Sequence, residues 1–117
     1  MKSDLEYIHH TVREILFLKE ELKKTNKELF FNDEVLKRAY VKSIEIIGEA
    51  SNKISPDFKK KYSSTEWRKF SATRNHLVHG YFIVDYEIIW DIVENKIQIL
   101  EVEMNKIIQN EETLFDI

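Results

Sequence analysis

"DYEIIWDIVENKIQILEVEMNKII", residues 85–108, decides the fold. Ile89, Val93, Ile97, Leu100, Met104 and Ile107 recur every three or four positions, the spacing that lays side chains along one face of an α-helix. Trp90, Ile92, Ile99 and Val102 widen the stripe well beyond a single seam, so this helix carries enough apolar surface for two partners. Asp85 stands where an N-cap would accept the first free N–H groups.

Two more seams lie upstream. Leu5, Ile8, Val12, Ile15 and Leu22 keep helical spacing that only Lys19 interrupts, and Leu36, Tyr40, Ser43, Ile47, Ala50 and Ile54 form an unbroken second one. Between them "FFND" offers Asn32 or Asp33 as an N-cap, and Glu34 follows where a carboxylate suits the positive end of the helix dipole. The second helix is therefore expected to start near residue 33, with "KKTNKELFFND" a plain connection. Ser55 and Pro56 end that helix and suit the N-cap and first position of a short helical turn. Ser63 and Glu66 have capping-box spacing, which predicts a helix from about residue 64 toward Gly80. The expected fold is all-α: an antiparallel, four-helix, up-and-down bundle with a short extra helix, one domain over residues 1–117. The surplus apolar surface of the last helix points to a homodimer.

Composition agrees. A chain of 117 residues has room for one ordinary domain, and two glycines with one proline are too few turn residues for an all-β fold. The lack of cysteine excludes disulfides and thiolate metal sites and fits a reducing compartment. The start, "MKSDLEYIHH", places acids where a secretory signal would have its apolar run, and no apolar stretch approaches the ~18 residues of a membrane span. A soluble cytoplasmic protein is expected, with no membrane partner. Net charge is −3, yet residues 53–74 carry seven bases against two acids, whereas residues 85–117 carry nine acids against two bases. Such runs are first of all solvated helix faces. The basic one, however, leads straight into the most unusual stretch of the chain.

That stretch is "RNHLVHGY", residues 74–81. Gly80 is expected to close the helix, placing His79 in its last turn and Tyr81 just beyond. Asn75 and His79, four apart, share a face; Arg74 and His79, five apart, diverge by about 140°, so Arg74 reaches the same site only through its long side chain or a dimer mate. Three readings are open. His79 can neutralise the negative helix end while Arg74 and Asn75 make surface hydrogen bonds. His76 and His79 can be metal ligands with Asp85 nearby, although no third ligand shares their face. Or Arg74 stabilises charge on a phosphoryl group while His79 takes a proton from a ribose 2′-hydroxyl, which suffices for RNA cleavage without a metal. Elsewhere, Gly48 reads as a close helix contact, and Glu49 beside it either faces the cleft or is solvated. Trp67, Phe70 and Trp90 read as core or dimer contacts rather than base-stacking platforms, and His9 and His10 as surface residues of the first helix.

Arg74-Asn75-x-x-x-His79-Gly80-Tyr81 resembles the R-x4-H-x-Y signature of the HEPN-domain family, in the branch of HepT-like toxins paired with small MntA-like nucleotidyltransferase antitoxins. "IEIIGEA" at 44–50 is similar to that branch's mid-helix I-G-E-A segment, and "VDYEIIWDIV" at 84–93 to its V-D-x-x-x-x-W continuation. The resemblance spans nearly the whole chain in the same order. It implies an all-helical homodimer whose two signatures face one cleft, acting as a metal-independent endoribonuclease in a type VII-like toxin–antitoxin pair. By the same resemblance Arg74 stabilises phosphoryl charge, His79 is general base or acid, Asn75 and Tyr81 position substrate, and Tyr81 accepts AMP from the partner. No metal or cofactor of its own is implied, ATP and magnesium being used by the nucleotidyltransferase. The alternative is a non-catalytic, nucleotide-binding or adaptor subunit of a nucleotidyltransferase; the complete set of Arg74, His79 and Tyr81 favours the enzyme.

Overall fold

The computed structural model describes residues 3–79 and 84–115, and the side chains of all of these except Val78, His79, Leu114 and Phe115. Four long helical elements make the bundle: α1 (Asp4–Lys23), α3 (Glu34–Lys53), α5 (Trp67–His79) and a thirty-residue run. That run consists of α6 (Tyr86–Asp91), a π-helical turn (Ile92–Lys96) and α7 (Ile97–Phe115). Two short helices, α2 (Lys27–Phe31) and α4 (Pro56–Lys61), lie in the connections. No strand occurs among the described residues.

Helix starts follow local chemistry. Asp33 accepts from the Leu36 N–H at 3.0 Å, which settles the choice within "FFND", while Asn32 closes α2 by donating to the Glu28 carbonyl at 2.9 Å. Ser55 accepts from the Phe58 N–H at 3.3 Å with Pro56 at the first position, and Asp85 accepts from Glu87 and Ile88.

The seams read from the sequence meet in one core. Ile8, Ile15, Ile47, Ile54, Ile89, Val93, Ile97, Leu100, Met104 and Ile107 are all buried there. Helix α1 lies antiparallel to α3 and to α7. Near its start Asp4 accepts from both the backbone N–H and the hydroxyl of Ser55, each at 2.7 Å, and toward its end Lys19 donates to both carboxylate oxygens of Glu101 at 2.8 and 3.0 Å. Lys19 thus breaks the apolar seam of α1 because it bridges to α7 at the seam's edge. At the α4 corner Lys61 and then Tyr62 hydrogen-bond to Glu111 and hold its carboxyl below the usual carboxylate range.

Two features depart from the expectations, an added helix after α1 and a later start of α5. The connection after α1 contains α2, capped by Asn26 accepting from Leu29 N–H at 2.9 Å, and it drives Phe30 fully into the core against Tyr40 and Trp90. Helix α5 starts at Trp67, not at 64. Tyr62–Thr65 form a turn instead, Trp67 Nε1 donates to the Tyr62 carbonyl at 3.1 Å, and Glu66 pairs with Lys69 rather than closing a capping box with Ser63. In the last helical run, Trp90 joins the core, but Ile99 and Val102 remain 61% and 53% exposed, leaving an apolar face without cover among the described residues.

Candidate active site

Helix α5 turns Trp67, Phe70, Arg74 and Leu77 toward α3, at the three/four spacing of a core seam. Trp67 and Leu77 are buried and Phe70 is half-buried, so Arg74 occupies a position where a bundle ordinarily has a hydrophobe. Gly48 of α3 makes that possible. A Cβ on Gly48 would stand 2.2 Å from Arg74 Cβ and 2.6 Å from the Phe70 carbonyl oxygen, so the two helices approach to a distance only glycine permits. The aliphatic stem of Arg74 lies on bare α3 backbone and carries the guanidinium to the rim of the bundle, the usual way a long cation keeps its head in water.

At the rim the guanidinium has two neighbours. Nη2 lies 2.9 Å from Glu49 Oε2, and Nη1 donates to Asn75 Oδ1 at 3.2 Å. Asn75 follows Arg74 directly on α5, so this link fixes the arginine head against its own helix. Most of the five guanidinium N–H groups remain for a further acceptor. Arg74 and Glu49, with Lys42, Glu45 and Ile46, line an open groove of about 340 Å³.

Of the residues singled out from the sequence, Arg74 and Asn75 are brought together. His79 is the last residue of α5, but its side chain lies outside the described residues, as do Gly80 and Tyr81 altogether. His76 is exposed, and among the described residues no three histidine, aspartate or glutamate side chains converge as a metal site would need. Gly48 is the close contact the sequence suggested. Trp67 and Trp90 are core residues, and Phe70 belongs to the floor of a second groove, of about 430 Å³, with Ile88, Ile92 and Ile99. His9 is exposed and His10 half-buried near the Tyr7 ring. In the basic segment Lys61, Lys69 and Arg74 pair with Glu111, Glu66 and Glu49, whereas Lys53, Lys59, Lys60 and Arg68 enter no ion pair among the described residues. Glu49 is the site residue whose role spacing did not disclose; its signals were its place directly after a mid-helix glycine and within the I-G-E-A segment.

The family model described as Ribonuclease HepT-like matches residues 8–107, a span that contains Gly48, Glu49, Arg74, Asn75 and His79. The chain belongs to the HepT-like ribonuclease family. Among curated proteins this HepT-like chain is 40% identical, over 95% of its own length and 99% of the other's, to one named "Putative RNase" from Caldanaerobacter subterraneus subsp. tengcongensis. It is 31% identical, over 91% of its length and 96% of the other's, to "Probable ribonuclease HepT" of Thermococcus cleftensis. A third relative, "Gamma-glutamylcyclotransferase and putative RNase" of Methanocaldococcus jannaschii, is 33% identical over 93% of this chain but only half of that protein. No solved structure matches the chain.

Proposed function

We propose that this HepT-like protein is the toxin of a toxin–antitoxin pair, a metal-independent endoribonuclease with Arg74 and His79 as its catalytic residues. The carrying observation is Arg74 itself: a cation set in a core seam over Gly48, its head at a groove rim beside Asn75, in a chain of a ribonuclease family. An internal structural role would not need a guanidinium at the rim. In the proposed reaction His79 takes the proton of a ribose 2′-hydroxyl, whose oxygen attacks the adjacent phosphorus. The bond from phosphorus to the 5′-oxygen breaks, that oxygen receives a proton, and a 2′,3′-cyclic phosphate is left. Arg74 stabilises the charge that builds on the non-bridging oxygens. Asn75 orients Arg74 and the substrate.

Homodimerisation completes the proposal. Ile88, Ile99 and Val102, each more than half exposed, form the apolar face that a second copy would cover, bringing two signatures to one cleft. Tyr81 is proposed as the residue that receives AMP from ATP and magnesium on a partner nucleotidyltransferase. The Tyr81 oxygen attacks the α-phosphorus and pyrophosphate leaves. The added phosphate then places negative charge where the RNA backbone must lie.

The test is cleavage of RNA by purified protein in excess chelator, with product ends analysed. Cyclic-phosphate or 3′-phosphate ends, abolished in His79→Ala and Arg74→Ala of unchanged helicity, are expected; activity that returns only on adding a divalent metal contradicts the mechanism. With the nucleotidyltransferase, mass should rise in whole AMP units at Tyr81 as cleavage falls, and Tyr81→Phe should escape both effects. AMP addition to a protein whose unmodified form never cuts RNA would favour an adaptor.

A further inference from the structure

We propose that Glu49 is the positioning residue for Arg74, and that its charge also limits how tightly the groove holds the RNA backbone; the proposal rests on the ribonuclease reading of Arg74. The stem of Arg74 is fixed by its contact with Gly48, but a stem does not fix the plane of a guanidinium, which turns about its last bonds. Two side chains set that plane, Glu49 on Nη2 and Asn75 on Nη1. They differ in kind. Asn75 is Arg74's own neighbour on α5 and moves with it, whereas Glu49 belongs to α3 and ties the guanidinium to a different rigid helix. Because Glu49 directly follows Gly48, the residue that admits the arginine and the residue that orients it are adjacent on α3.

The pair is poorly suited to a purely structural role. The two side chains are 28% and 46% exposed, and an ion pair at a wet rim contributes little to folding. Its effect is to hold a donor array in advance of its substrate, which lowers the reorganisation needed when charge develops. The same carboxylate carries a negative charge beside the place where a phosphodiester must bind, so it opposes ground-state binding of RNA while serving the transition state. Orientation and repulsion can be separated, because glutamine keeps an oxygen acceptor at the same reach and removes the charge.

The experiment compares wild type, Glu49→Gln and Glu49→Ala in cleavage of a defined RNA oligonucleotide in chelator, with thermal unfolding of each. Glu49→Ala should lose about tenfold or more in kcat, since a misaligned catalytic group costs on that order, and glutamine should restore kcat to within about threefold of wild type. Both variants should show a lower KM, and both should unfold within a few degrees of wild type. A separate measurement follows the Arg74 side-chain Nε–H by NMR, which should be sharp in wild type and Glu49→Gln and broadened in Glu49→Ala. Wild-type kcat in Glu49→Ala, or equal loss in both variants, overturns the assignment of Glu49 while leaving the ribonuclease reading intact. Wild-type protein that cuts no RNA overturns both.

Discussion

A methyl group at position 48 has no space to occupy. Alanine there would gain about 1 kcal/mol of helix propensity over glycine. Its Cβ, however, would stand 2.2 Å from Arg74 Cβ and 2.6 Å from a backbone oxygen, so α3 and α5 must separate. Overpacking of this kind costs about 1–3 kcal/mol, so Gly48→Ala should lower stability by up to about 2 kcal/mol net in urea titration. Its effect on RNA cleavage should be larger than that loss of fold, because the displaced residue is Arg74. The sequence announced the close contact but not the partner, since spacing along α5 says nothing of what α3 places opposite; for the same reason Glu49 could not be assigned. Tyr40 gives a second test at this scale. It is fully buried, its hydroxyl has no hydrogen-bond partner among the described residues, and burial, with a smaller contribution from Glu21, pushes its pKa from the ordinary 10 up to about 12. A raised folded-state pKa stabilises below pH 10 and loses that contribution as pH climbs toward 12. Tyr40→Phe should therefore gain about 1 kcal/mol at neutral pH, by removing an unpaired buried hydroxyl, and should lack the wild type's decline between pH 10 and 12.

Among the elements, the long helices were legible because each shows its period over several turns. Five residues cannot, and α2 went unread: Leu29, Phe30 and Phe31 are consecutive, and a run that short shows no face to say which of them is buried. Its burial predicts that Phe30→Ala, although in a connection, costs about 3–5 kcal/mol, measurable as a large fall in the urea midpoint. The π-helical turn has a clearer origin. Ile89, Val93 and Ile97 are separated by two successive four-residue steps, which on an ideal α-helix drift about 80° away from the core. The wider turn at Ile92–Lys96 takes up that drift, so Ile89 and Ile97 are each 1% exposed. Gln98 Nε2 meets the Val93 carbonyl at 3.3 Å within the altered ladder. The same run leaves Ile88, Ile99 and Val102 outward. If they form the contact between two copies, Ile99→Glu should convert the dimer to monomer by light scattering and lower cleavage with it.

The molecule measures 51 × 30 × 24 Å, and its radius of gyration of 14.8 Å exceeds the roughly 13 Å of a compact chain this long, because a thirty-residue helical run sets its length. Charge divides along the same architecture. Lys53, Lys59, Lys60 and Arg68 stand where α3, α4 and α5 meet, while the acidic run belongs to α6 and α7. A polyanion would meet four bases there that enter no ion pair among the described residues, although Asp4 and Glu111 stand at the same corner. Lys59→Glu with Lys60→Glu should raise KM for RNA, flatten its rise with salt concentration and spare kcat. That division was visible as charge runs in the sequence; which cations remain without carboxylate partners was not, because Glu111 reaches Lys61 across 50 residues. The pairing of α1 with α7 has a consequence during synthesis. Leu100, Met104 and Ile107 complete a core begun by Ile8 and Ile15, so α1 can pack on α3 early but the side of it that faces α7 stays uncovered until nearly the entire chain has left the ribosome. The Arg74 segment is translated before that moment, so a nascent chain holds Arg74 before the rigid frame of the finished bundle exists to orient it.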